Sequence, residues 1–184
     1  MIKKILDIGN PLLREVSKEV NEQDIKSSDI QTLIQDLIDT LRDQKSGVAI
    51  SAVQIGVPVR LFIVEIKPTP NRPEFTAWGP IAFINPVVTS MSEEKIELPE
   101  ACLSIFNAEL FGNVVRSKSL QIKYLDQDGT PQEAKYEDFI AKVIQHEMDH
   151  LNGVLFTDLA DPHSFATAAE YRKARSRQKE AKKQ

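Results

Sequence analysis

A single cysteine in 184 residues rules out an internal disulfide, and a lone thiol suits a reducing compartment where it can serve a metal. No apolar run approaches the ~20 residues that span a bilayer, and the N-terminus lacks a signal-peptide core. The expectation is a cytoplasmic chain with no membrane partner. A net charge of only −4 gives no general reason to expect nucleic-acid binding, and there is no internal repeat. What is present, 41% hydrophobic and 27% charged residues, is the composition of a globular protein, long enough for one sizeable core.

Against that plain background one stretch is chemically dense. In Gln145-His146-Glu147-Met148-Asp149-His150 the histidines are four apart, so a helix stacks them on one face, where two imidazoles can share a metal ion. Glu147 lies beside the first of them, able to take a proton from a metal-held water but badly placed to be a ligand. This is the H-E-x-x-H pattern of zinc-type hydrolysis. The plain alternative is a solvated helix face. Phe139, Val143, His146 and His150, however, step by four, three and four, so the histidines continue an apolar stripe, and buried imidazoles need partners that a metal supplies.

Such a site needs one more protein ligand and an open position for water. A metzincin-like continuation fails, because Gly153 arrives on schedule but Phe156 stands where the last histidine is due. Glu170 would be the third ligand of a zinc protease, although Tyr171, Arg172 and Lys173 beside it read as a polar helix. Upstream stands Cys102, after Glu97-Leu98-Pro99-Glu100-Ala101; without a metal motif it would read as a small buried apolar residue.

With Cys102, His146 and His150 taken together, the sequence resembles the peptide deformylases of bacteria. Three motifs of that family appear in order: Gly47-Val48-Ala49-Ile50-Ser51-Ala52-Val53-Gln54-Ile55-Gly56, then Glu100-Ala101-Cys102-Leu103-Ser104, then Gln145 through Gly153. The resemblance runs from Ile5 to Phe156. It implies an α+β fold, a single domain of antiparallel strands packed around a central helix that carries H-E-x-x-H, with residues 1–164 as the metal-dependent part and 165–184 as a basic C-terminal helix or tail. It implies removal of the N-formyl group from N-formylmethionyl peptides. The metal ligands would be Cys102, His146 and His150, with Glu147 as base and the Gln54 amide and Leu103 backbone N–H as donors to the developing oxyanion. Val48, Ala49, Leu98, Phe139 and Val143 would line the methionine pocket. One divalent ion is implied, Fe2+ in the cell, with Zn2+ or Ni2+ accepted. In bacterial members a C-terminal helix is associated with ribosome docking, and the residues from Arg172 onward are basic enough to suit RNA phosphates.

The chain departs from the family pattern where peptide backbone would bind. Ala49 replaces the second glycine of the first motif, Ser51 the first of two alanines, and Ala101 the glycine before the cysteine. Ile105 is followed by Phe106 instead of proline, and the loop up to Val115 lacks an arginine often found there. These changes leave open a deformylase-like metal-binding protein with altered or lost substrate specificity.

Periodicity places the remaining elements. Ser28 to Gln31 fits a capping box, followed by an amphipathic helix through Ile30, Leu33, Ile34, Leu37, Ile38 and Leu41. Residues 1–26 read as an arm laid on the core. Gly47 to Gly56 reads as an irregular, small-residue stretch, in which a glutamine is by itself usually solvated. Arg60–Ile66 reads as a buried strand, Lys67–Trp78 as an irregular loop, and Ile81–Val88 as a strand interrupted at Pro86. Further strands are expected at Lys95–Leu98, Val114–Arg116 and Leu120–Tyr124, and after the turn Asp126-Gln127-Asp128-Gly129. The H-E-x-x-H helix should run from about Asp138 to Asn152, stopped by Gly153, and a last helix from Phe165 to Gln184.

Overall fold

The structure, a computed structural model, describes residues 1–44, 47–68 and 75–181. Eight strands and three α-helices follow one another as α1 (Ser28–Asp43), β1 (Ala49–Ser51), β2 (Leu61–Ile66), β3 (Trp78–Met91), β4 (Lys95–Glu100), β5 (Leu110–Ser117), β6 (Ser119–Leu125), β7 (Pro131–Glu137), α2 (Asp138–Leu151), β8 (Ala166–Thr167) and α3 (Ala168–Ala181). The strands form two antiparallel sheets, one in the order β1-β2-β3-β6-β7 and one in the order β4-β5-β8. The α+β expectation, with antiparallel strands around the motif helix, is met.

The second strand of the five-stranded sheet shows how that sheet is clothed. All six residues of β2 are buried, because its two faces meet different helices. Leu61 and Ile63 pack with Ile34, Leu37 and Leu41 of α1, whereas Phe62 and Val64 pack with Ala141, Val143 and Ile144 of α2. A strand covered on both sides loses the usual apolar–polar alternation, so β2 is apolar except at Glu65, whose carboxylate is met by Arg42 and Lys67. Each such side chain contributes about 1.5–3 kcal/mol by leaving water.

Several local expectations are corrected. The cap of α1 is Ser27, whose side chain accepts from Ile30 N; Gln31 instead donates to the carbonyls of Ile25 and Gln127. The stretch after Gly47 is ordered, β1 passing into a 3-10 turn at Ala52–Ile55. Strand β3 is longer than its apolar segment and bulges where Pro86 lacks an N–H. There Asn85 takes a positive φ of 49° and ties Val20 from both sides, accepting from its N–H and donating to its carbonyl. Residues 69–74 of the expected loop, and 182–184 of the expected last helix, lie outside the described residues.

The N-terminal arm does structural work for the motifs. Leu6 N donates to Gln54 O and Ile8 N to Ser104 O, so the arm bridges the backbone of the first and second motifs. At the other end of α2, Gly153 (φ 73°) closes the helix, with Gly153 N bonded to His150 O and Val154 N to Asp149 O. A side chain at Gly153 would place its Cβ 2.4 Å from Arg14 O, so only glycine fits.

Candidate active site

His146, Glu147 and His150 come from α2, and Cys102 from the turn just after β4, so the three motifs meet although 48 residues separate the cysteine from His150. Cys102 Sγ lies 3.2 Å from His150 Nε2, and the ligand atoms of Cys102, His146 and His150 all lie within 4.8 Å of one another. Cys102 and His150 are buried and His146 nearly so. One sulfur and two imidazole nitrogens with a carboxylate alongside make a donor set suited to a divalent transition metal with one position left open. The residues present therefore fit a metal ion.

Surrounding groups set the proton positions. His146 Nδ1 lies 2.8 Å from Glu100 Oε2, and the Arg116 guanidinium grips both oxygens of that carboxylate at 2.9 and 3.0 Å. Burial works against the charge on Glu100, but His146 and Arg116 outweigh it and hold the group well below the usual carboxylate range. An ionised carboxylate only accepts, so Nδ1 of His146 carries a proton; although burial opposes the charge, Cys102 and Glu100 raise the ring well above its ordinary value, and a metal ion would take the place of the proton on Nε2. Arg116 also reaches Asp149 at 2.6 Å, joining the strand β5 to the motif helix. Burial, and then the neighbouring His146, push His150 well below its ordinary value, so it stays neutral.

Glu147 is 3% exposed, and burial pushes its carboxyl up to about 7 against the opposing pull of His146 and the Ser51 hydroxyl. Ser51 Oγ donates to Glu147 Oε2 at 2.6 Å. Gln54, expected on its own to be solvated, is 2% exposed and rigidly aimed. Its Oε1 accepts from Ser51 N at 2.8 Å, which turns its amino group toward Ser104 Oγ at 3.1 Å and Cys102 Sγ at 3.6 Å.

A cleft of about 350 Å³ opens onto this cluster. Val48, Ala49, Gln54, Cys102, Leu103, Phe139, Val143, His146 and Glu147 line it. His150 stands behind, and Leu98 is not in the lining: it sits two residues before Glu100 on β4, roughly 6.6 Å farther along the strand. Glu170 pairs with Lys173 on α3 at 2.7 Å and takes no part in the cluster, so the zinc-protease alternative falls. Several contributors carry little signal in the sequence. Glu100 and Arg116 were readable only as a charged pair in facing apolar strands, Ser51 only as a departure from pattern, and the lining residues Tyr171, Arg172 and Arg175 had no sequence signal tying them to the cleft.

Comparison with known proteins agrees with this geometry. Residues 2–165 match the family model described as polypeptide deformylase. The chain is 38% identical over 168 residues to a peptide deformylase 2 of Nostoc sp., covering 91% of both chains. It is 38% identical over 157 residues to a peptide deformylase of Bartonella quintana, covering 85% of this chain and 83% of that one. Among solved structures, a class I type b peptide deformylase from Acinetobacter baumannii with Met-Ala-Ser bound aligns with a TM-score of 0.81 at 28% identity, over 86% of this chain and 98% of that one.

Proposed function

The chain belongs to the polypeptide deformylase family, and from that premise we propose how its residues share the removal of the formyl group from formylated nascent peptides. The family is metal-dependent, and Cys102, His146 and His150 form the cluster that would hold one divalent cation. Bound there, it supplies Lewis acidity, polarising the formyl carbonyl and lowering the pKa of a water toward ~7. The thiolate softens the donor set, and by likeness to the bacterial deformylases the ion would be Fe2+ in the cell, with Zn2+ or Ni2+ accepted.

Glu147 receives the proton of the attacking water on Oε1, since Ser51 occupies Oε2, and passes it to the departing amine nitrogen as the carbon–nitrogen bond breaks. Formate and a free N-terminus result. The Gln54 amino group and the Leu103 backbone N–H donate to the oxygen that gains charge, and losing one such donor typically costs on the order of 10²–10³ in rate. Glu100 holds His146 in the ligating tautomer. Val48, Ala49, Phe139 and Val143 receive the methionine side chain.

Among the described residues no helix is long and apolar enough to cross a membrane. We place the enzyme in the cytoplasm with its nascent-chain substrates. Residues 1–164 act as the catalytic domain and 165–184 as a basic C-terminal segment of the same domain, in which Lys173 and Arg177, exposed on α3, are suited to ribosomal RNA.

The observation that carries the reading is the meeting of Cys102, His146 and Glu147 at the floor of one cleft, with His150 directly behind them. The test is turnover of formyl-Met-Ala-Ser by anaerobically purified, metal-loaded protein beside Glu147→Ala. Loss of turnover in the variant supports the assigned base; turnover that survives removes it.

A further inference from the structure

The cleft has two unlike sides. Its floor carries the reactive groups, while its outer wall is built by α3, which contributes Tyr171, Arg172 and Arg175. This helix is fastened to the rest of the molecule. Strand β8 pairs with β5 through Leu110↔Thr167 and Phe111↔Ala166, Ala168 N donates to Glu109 O at 2.9 Å, and the Tyr171 ring stacks on Phe111 with centroids 4.2 Å apart and planes 9° from parallel. Gly112 makes room for the attachment, since a Cβ there would lie 2.7 Å from the Phe165 ring.

Arg172 and Arg175 are three residues apart and so share a helix face. Lys142 of α2 lines the same cleft. The two carboxylates in the lining are committed elsewhere: Glu100 to Arg116 and His146, Glu147 to Ser51. At the rim Glu109 faces Arg172, at 3.7 Å with both side chains more than half exposed, a pair of little energetic weight. In a chain of net charge −4 the lining of the cleft carries Lys142, Arg172 and Arg175 against the carboxylates of Glu100 and Glu147.

We propose that Arg172 and Arg175 form a carboxylate subsite for the peptide downstream of the formylated methionine, so that acidic substrates are preferred. An extended peptide advances about 3.3–3.6 Å per residue, so the residues after a methionine on the floor would run outward along the cleft that Arg172 and Arg175 line. Guanidinium groups pair bidentately with carboxylates, and either an Asp or Glu side chain or the free α-carboxylate of a short peptide has that chemistry.

The inference rests on the deformylase reading, and the test separates the two. Metal-loaded full-length protein is assayed on formyl-Met-Ala-Xaa amides with Xaa as Asp, Ser or Lys, and on formyl-Met-Ala-Ser with its carboxylate free. The expected result is kcat/KM about tenfold higher for Asp than for Lys, carried by KM and weakened by salt. The free carboxylate should gain similarly over its amide if terminal carboxylates are received, and not if only side chains are. In the double variant Arg172→Glu, Arg175→Glu the Asp-to-Lys ratio should fall to one or invert; that ratio is internal to each protein and independent of how much of it folds. Equal kcat/KM for Asp and Lys in the wild type, or a preference that survives the double reversal, overturns the subsite while leaving the deformylase reading intact. No turnover of any peptide overturns both.

Discussion

Ser51 Oγ donates a 2.6 Å hydrogen bond to Glu147 Oε2, joining the first and third motifs across 96 residues of sequence. Both side chains are almost wholly buried, so the hydroxyl is a fixed guide for the carboxylate and not an exchangeable solvent contact. Ser51→Ala should lower kcat on the order of tenfold and leave KM unchanged, as befits loss of one hydrogen bond to a charged group. Glu147→Gln should cost ~10²–10⁴ in kcat with metal content unaltered. Equal kcat in wild type and Ser51→Ala would remove the serine from the mechanism.

The pH behaviour of the same carboxyl is a second prediction, made for metal-free protein. Burial raises Glu147 from its ordinary 4.5 to about 7 in the fold. The folded value exceeds the unfolded one, so the fold favours the neutral form, and this contribution to stability declines as pH rises from about 4.5 to about 7. Carbon-13 NMR of labelled glutamate should show one carboxyl with a midpoint near 7, higher still in Ser51→Ala because the hydroxyl favours the charged form, and lower on zinc addition. A spectrum in which every glutamate titrates near 4.5 contradicts the burial argument.

Metal content supplies a third. Cys102→Ala should abolish stoichiometric metal and Glu170→Ala should not change it. Glu100→Gln, which leaves the ligands in place but loosens His146 and unpairs Arg116, should weaken metal affinity about 10–100-fold. Competition with a chromogenic chelator measures all three.

Gly153 offers a test of the scaffold alone. Gly153→Ala combines positive φ with a Cβ 2.4 Å from the Arg14 carbonyl. It should destabilise by at least the 1–3 kcal/mol of such backbone strain, read from urea denaturation. A midpoint matching wild type would mean that the arm at Arg14 gives way freely.

How much of this was legible in the sequence depends on the range of the interaction. The spacing of His146, Glu147 and His150 fixes a helix face, so the heart of the site could be read from six residues. Motif likeness, not periodicity, brought Cys102 and Gln54 to it. The sandwiching of β2 between two helices was visible only as an apolar run, and the lengths of β3 and β5 were underestimated because their outer parts carry polar, exposed residues. Arg116 was hidden for another reason: a buried charge looks like any surface arginine until its partner Glu100 is placed opposite. The approach of α3 to the cleft depends on a two-residue strand and one ring stack, neither of which leaves a pattern in the chain.

Cys102 hangs from the three-stranded sheet, whereas both imidazoles belong to the helix lying on the five-stranded one. An ion held by these three would thus also rivet the two halves of the molecule together, and its binding energy would add to the work of pulling them apart. A cell starved of that ion would then hold fewer copies of the polypeptide as well as idle ones, because opened molecules are the ones that proteases consume. Nutrient supply would set the lifespan of the protein along with its output.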